Sequence, residues 1–94
     1  MQITFDPAKR EKTLKERGLD FKRANEVFAH RHFTKPDLRE CYPEERWITV
    51  GLLDKRMIVL VWTLQGWDER RIISMRKANE REQEKYWEYM DRSG

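Results

Sequence analysis

The sequence predicts an α+β fold, with an antiparallel sheet of about four strands, N-terminal helices and one C-terminal helix. Three observations carry this expectation. Two-residue apolar alternation fills the middle of the chain, over Trp47 to Leu53 and Met57 to Leu64. Helical spacing and capping signals are confined to the two ends. The connections between successive strands are short, which favours antiparallel neighbours over crossovers.

Taken in order, Ile3 and Phe5 alternate with polar neighbours and read as a short strand. Asp6 and Pro7 then supply an N-cap and a first-turn proline, and Gly18 supplies a stop, giving a helix from about Pro7 to Arg17. That helix has little besides Ala8 and Leu14 to bury, so it belongs on the surface, held by its caps and by pairs such as Glu11–Lys15. A second helix near Phe21 to Ala29 carries Phe21, Ala24, Val27 and Phe28 at core-facing spacing. A short strand near His32-Phe33-Thr34 follows, then an irregular stretch with Pro36 and Pro43. The clearest hairpin closes around Asp54-Lys55-Arg56, with Ile48, Val50 and Leu52 on one face of its first strand. In its second strand Met57, Val59 and Val61 oppose Ile58, Leu60 and Trp62, and apolar groups on both faces mark a central strand. A loop through Gln65-Gly66-Trp67-Asp68 leads to a strand from Arg70 to Met75 and a closing helix from about Ala78 to Met90.

Length and charge narrow the function classes. The 94 residues suit one small domain spanning 1–94, 38% hydrophobic and 39% charged. A net charge of +3 is too small for a protein that coats DNA. Its distribution is more telling: residues 1–35 carry nine Lys/Arg and five Asp/Glu, residues 36–69 four and seven, and residues 70–94 seven and five. A fold that joins the ends would therefore build one basic surface. Cys41 is the only cysteine, which excludes an intrachain disulfide and fits a reducing cytoplasm. No apolar run approaches the roughly 18 residues of a membrane span, and the N-terminus lacks a signal-peptide pattern.

The chemistry concentrates in Arg70-Arg71-Ile72-Ile73-Ser74-Met75-Arg76-Lys77, where a basic strand runs into a charged helix. Regular alternation sets Arg71, Ile73 and Met75 against Ile72, Ser74 and Arg76, so Arg71 and Arg76 are expected on opposite faces. Arg76 at a helix start opposes the helix dipole by a few tenths of a kcal/mol, a placement that hints at function; a salt-bridged edge is the plain alternative. Along the helix, Asn79, Glu82, Gln83, Tyr86 and Met90 form one stripe whose first turns are polar beside Arg76. Cleaving RNA without a metal requires deprotonating a 2′-hydroxyl, neutralising the pentacoordinate phosphate and protonating the 5′-oxygen. Arginines serve the second need, and a tuned carboxylate, lysine or tyrosine the others. Trp47, Trp62, Trp67, Tyr86 and Trp87 are available for stacking on bases, and Trp67, in a polar loop, is expected to be exposed. Other chemistries lack support. His30, His32 and Cys41 do not complete a recognised zinc spacing, no glycine-rich phosphate loop is present, and neither Ser74 nor Cys41 has a histidine at recognisable spacing. The acidic run Asp37, Glu40, Glu44, Glu45 reads as a solvated loop.

Ordered blocks along nearly the whole chain resemble the BrnT toxins of bacterial type II toxin–antitoxin systems. They include Phe5-Asp6-Pro7-Ala8-Lys9, Gly18-Leu19-Asp20-Phe21, Ala24 to Phe28, and Asp37, Arg39, Tyr42, Glu44 and Arg46. Trp47-Ile48-Thr49-Val50-Gly51 and Val61-Trp62-Thr63 follow, and the most specific block runs from Arg71 to Glu82, ending at Tyr86. The resemblance implies a RelE-like fold and a cytoplasmic ribonuclease, needing neither metal nor cofactor, that arrests translation. It also implies a BrnA-type ribbon-helix-helix antitoxin as partner, with DNA contacted only through that antitoxin and no membrane association. Family basic positions map onto Lys9, Arg46 and Arg76. The expected catalytic set is thus Arg76, Arg46 and Lys9, with Glu82 and Tyr86 as acid/base groups; Arg71, Lys77, Trp67 and Lys12 are expected to hold RNA. The chain departs from the family where relatives usually carry Thr-x-Arg-Gly, having Thr63-Leu64-Gln65-Gly66 and an extra residue around Trp67. Thr13 and Arg17 are lesser departures, from a common asparagine and histidine. Loss of the arginine charge at Gln65 makes a weakened module that binds RNA or antitoxin the second reading.

Overall fold

The computed structural model describes residues 1–93. Its elements are β1 (Gln2–Phe5), α1 (Pro7–Arg17), a 3₁₀ turn (Phe21–Arg23), α2 (Ala24–Ala29), β2 (His32–Pro36), β3 (Trp47–Leu53), β4 (Arg56–Gln65), β5 (Glu69–Lys77) and α3 (Glu80–Ser93). The α+β prediction holds, with a correction to the sheet. Five strands, not about four, run in the order β1-β5-β4-β3-β2, and β1 lies parallel to β5, so the sheet is mixed. The pairing of first strand with last joins residues 65 or more positions apart, beyond the reach of any local pattern.

Local chemistry explains the elements. Asp6 accepts a hydrogen bond from the Ala8 N–H at 2.9 Å, and Gly18 ends α1 in the left-handed conformation at φ 70°. As expected, α1 buries no residue. The expected Glu11–Lys15 pair is replaced by a longer link, Arg10 to both carboxylate oxygens of Asp20 at 2.8 and 3.0 Å. Asp20 also caps the 3₁₀ turn through the Lys22 N–H. The two-residue turn between β3 and β4 holds Asp54 at φ 51° and Lys55 at φ 66°, the handedness that matches strand twist. As its pattern predicts, β4 is the central strand.

The sheet is covered on both faces. On the back, Phe21, Ala24 and Val27 pack on Leu53, Ile58, Leu60, Trp62, Ile72 and Met75. On the front, Tyr86 and Met90 of α3 pack on Val50, Met57 and Val59. Gly51 lets α2 approach closely: a Cβ there would lie 2.8 Å from Val27 Cγ1. No helix among the described residues is long and apolar enough to cross a membrane.

The fifth strand overturns the alternation expected for it. Val61 pairs with Ser74 but Trp62 pairs with Ile72, leaving Ile73 as the extra residue of a bulge. Ile72 and Met75, three apart, consequently share the back core. Arg71, Ser74 and Arg76 pair with Thr63, Val61 and Val59, alternate residues of β4 on its front side. Arg71 and Arg76 therefore occupy one face. The helix start is also corrected, to Glu80 in place of Ala78.

Candidate functional site

The bulge delivers Arg76 to a front-face cavity of about 450 Å³, walled by α3 and by the segment that follows β2. Phe33, Ile48 and Val50 form its apolar floor, and Lys35, Arg39, Arg76 and Lys85 ring it with positive charge against Asp37 and Glu82. Arg76 Nη1 and Nη2 donate to Glu82 Oε1 and Oε2, both at 2.7 Å. Glu82 is simultaneously part of a capping box: its Oε1 accepts the Asn79 N–H at 2.9 Å while Asn79 Oδ1 accepts the Glu82 N–H at 2.9 Å. Helix capping thus fixes the carboxylate that orients Arg76. The Arg76 hydrogen bonds, outweighing burial, hold the Glu82 carboxyl below its ordinary range, and Glu82 in turn raises the Arg76 guanidinium.

A second pair stiffens the opposite wall. The Asp37 side chain is fully buried and accepts from Arg39 Nε and Nη2, each at 2.7 Å. Those bonds, against the cost of burial, keep the Asp37 carboxyl ionised below its usual pKa. Its backbone N–H donates to the Arg46 carbonyl at 2.8 Å. The solvated-loop expectation thus fails for Asp37, whose burial follows from long-range packing. Among the described residues Lys35 and Lys85 make no ion pair, so their charge remains available to a ligand. Neither lysine, nor Arg39 as a wall of this cavity, was expected from the sequence. The i, i+3 spacing of Glu82 and Lys85 on α3 is the local signal that could have placed Lys85 on that wall.

The remaining expected residues disperse. Arg46 bonds Glu44 at 2.9 Å and lies over the Tyr42 ring at 4.1 Å, lining a separate cavity of about 440 Å³ behind the shared wall of Pro36, Asp37 and Leu38. Lys9 and Lys12 of α1 line a smaller cavity of about 220 Å³ with Ile73 and Ser74, at the β5 edge left open beyond β1. Arg71 faces front, one end of the basic row that Arg76 completes. Lys77 pairs with Ile58 and is exposed on the other side of the strand from Arg76. Trp67 is 84% exposed, as expected, while Trp62 is buried. Tyr86 is buried with its hydroxyl donating to the Arg31 carbonyl at 3.1 Å, and burial pushes its pKa up. It lies outside the Arg76 cavity. Gln65 closes β4 opposite Glu69, exposed and two residues beyond Thr63 on the front side. Among the described residues no three His, Cys, Asp or Glu side chains converge as a metal-binding group.

A cavity with an apolar floor, a bidentate arginine and two unpaired lysines suits a polyanion with flat, partly apolar groups. Residues 5–82 match the family model described as the ribonuclease toxin BrnT of type II toxin–antitoxin systems. The crystal structure of the Brucella abortus ribonuclease toxin BrnT superposes with a TM-score of 0.64 at 26% identity, covering 85% of this chain and 99% of that one. No curated protein sequence matches.

Proposed function

Because this chain belongs to the BrnT family of ribonuclease toxins of type II toxin–antitoxin systems, we propose that its front cavity binds single-stranded RNA and cleaves it without a metal, arresting translation. The observation that carries this reading is the bulge at Ile73, which sets Arg71 and Arg76 on one open face beside the cavity. The scissile phosphate displaces Glu82 and takes the Arg76 fork, where the guanidinium neutralises the pentacoordinate phosphate. Lys35 and Lys85 add charge at the cavity rim, the role a metal would otherwise fill. Glu82, freed from Arg76 and held by its helix cap, accepts the 2′-hydroxyl proton as O2′ bonds to phosphorus, and the P–O5′ bond breaks with a rim lysine protonating the departing 5′-oxygen. Arg71, Lys9 and Lys12 guide the strand over the β5 edge, with Trp67 open to stack on a base. Arg46 and Tyr86 support the site from behind it. In the cell the partner is a BrnA-type ribbon-helix-helix antitoxin, through which alone the complex touches DNA.

Arg76→Ala is expected to lower the cleavage rate of a single-stranded RNA oligonucleotide by about 10²–10³-fold and to abolish growth arrest on expression. Unchanged cleavage by that variant would remove the cavity from the chemistry. Gln65 favours a second reading, since it ends β4 one row beyond Arg71 without a charge. On that reading the protein binds RNA but cleaves it feebly. Gln65→Arg tests it: a gain of tenfold or more in rate would mark a weakened enzyme, and an unchanged strong rate would dismiss the idea.

A further inference from the structure

The back face carries a charge that the front-face chemistry does not use. Arg70 follows Leu64 across the β4–β5 ladder, with its guanidinium 3.8 Å from the centre of the Phe28 ring and 5.1 Å from that of Trp62. Trp62 continues the cluster to Trp47, with ring centres 6.3 Å apart. Arg70 Nε is buried and has no hydrogen-bond partner. Among the described residues no carboxylate pairs with Arg70. Its pKa is lowered by burial alone, with no opposite charge to restore it. Of the other half-buried arginines, Arg10, Arg23, Arg46 and Arg76 each hold a carboxylate, and Arg71 alone shares the lack of one, but no buried unpartnered atom is found on it. A desolvated, unpaired guanidinium destabilises the free protein. Beside it Leu64 is 43% exposed, so the charge sits within an open apolar surface.

We infer that this end of the back face is where the protein antitoxin docks, seating one of its carboxylate side chains on Arg70 between apolar neighbours. The inference rests on membership of the type II family, which supplies a protein partner. Charge complementarity selects the occupant. One cation among aromatic and aliphatic groups fits a single acidic side chain on an apolar segment. RNA fits poorly: the Phe28 face on which a base would stack already holds the guanidinium. Docking here leaves the Arg76 cavity on the opposite face uncovered by this contact.

The test is co-expression of full-length wild type, Arg70→Met and Arg70→Lys with the antitoxin from the adjoining reading frame, followed by measurement of affinity, melting temperature and RNA cleavage. Arg70→Met is expected to lose at least about 30-fold in antitoxin affinity, to melt no lower than wild type, and to cleave RNA at the wild-type rate when free. Arg70→Lys is expected to recover part of the affinity. Unchanged affinity in Arg70→Met overturns the inference, as does a fall in melting temperature for both variants, which would make the cation structural. Weaker binding of a 2′-O-methyl oligonucleotide by Arg70→Met would overturn it in favour of nucleic acid. A wild-type chain that captures no antitoxin would overturn the toxin reading as well, a result distinct from loss confined to Arg70→Met.

Discussion

Glu82 is one side chain under three demands: it closes a helix, neutralises Arg76 and, in the proposed reaction, accepts a proton. The first two are satisfied together in the free protein, through bonds of 2.9 Å to the Asn79 N–H and 2.7 Å to Arg76. The third requires phosphate to displace Arg76. Glu82→Gln separates them, because glutamine preserves the capping box while removing the charge. Its expected signature in steady-state kinetics is a kcat lower by about 10²-fold with a reduced KM, as phosphate no longer competes with a carboxylate for Arg76. Unchanged kcat would reduce Glu82 to a counter-charge. At this scale the sequence was legible where roles are local: Arg76 and Glu82 were singled out, and they meet. It was illegible for Asp37, a carboxylate between Pro36 and Leu38 whose burial is imposed by Arg39 and the backbone of Arg46.

Elements behaved according to whether their signals are periodic or long-range. Asp6, Pro7 and Gly18 bounded α1 correctly because capping is decided within one turn. Apolar residues on both faces identified β4 as central, since such a pattern needs cover from layers above and below, which the middle of the sheet has. The Ile73 bulge was hidden because alternation assumes one residue opposite one residue, and nothing in Ile72-Ile73-Ser74 announces an exception. The parallel β1–β5 pair was hidden because its partners meet only after the whole chain has folded. The close contact of α2 with β3 yields a prediction of its own. Gly51→Ala drives a methyl to 2.8 Å from Val27 Cγ1 and 3.1 Å from His32 Cβ. It should cost about 1–3 kcal/mol, read as a lower urea midpoint with an unchanged m-value.

Across the whole molecule, the pairing of first strand with last brings the two basic ends of the chain together. Lys9 and Lys12 of α1 line one cavity with Ile73 and Ser74 of β5. Topology thus sets the cations of α1 beside uncharged residues of β5 at that cavity. Global stability carries a pH signature from the link between α1 and the following turn. Hydrogen bonds from Arg10, working against burial, lower the Asp20 carboxyl to about 2. The unfolded chain, with Asp20 near its ordinary value of about 3.9, binds more protons between those limits. Stability from this pair is therefore complete above pH of about 4 and declines as pH falls toward 2. Urea midpoints measured across that window should fall with acid, and Asp20→Asn should flatten the slope. A slope unaltered by Asp20→Asn would assign the acid sensitivity to other carboxylates.

The extra residue in β5 has a consequence for parity. Five positions separate Arg71 from Arg76, an odd number that a regular strand would convert into opposite sides. Removing Ile73 makes that interval four and the interval from Ile72 to Met75 two. Both arginines and both core residues then keep their present sides in an unbroken ladder. Removing Ser74 instead also keeps the arginines together but turns Ile73 to the front where the serine stood. A chain shortened at Ile73 accordingly keeps the front charges, Ile72, Ser74 and Met75 on their present sides while the local kink and twist are gone.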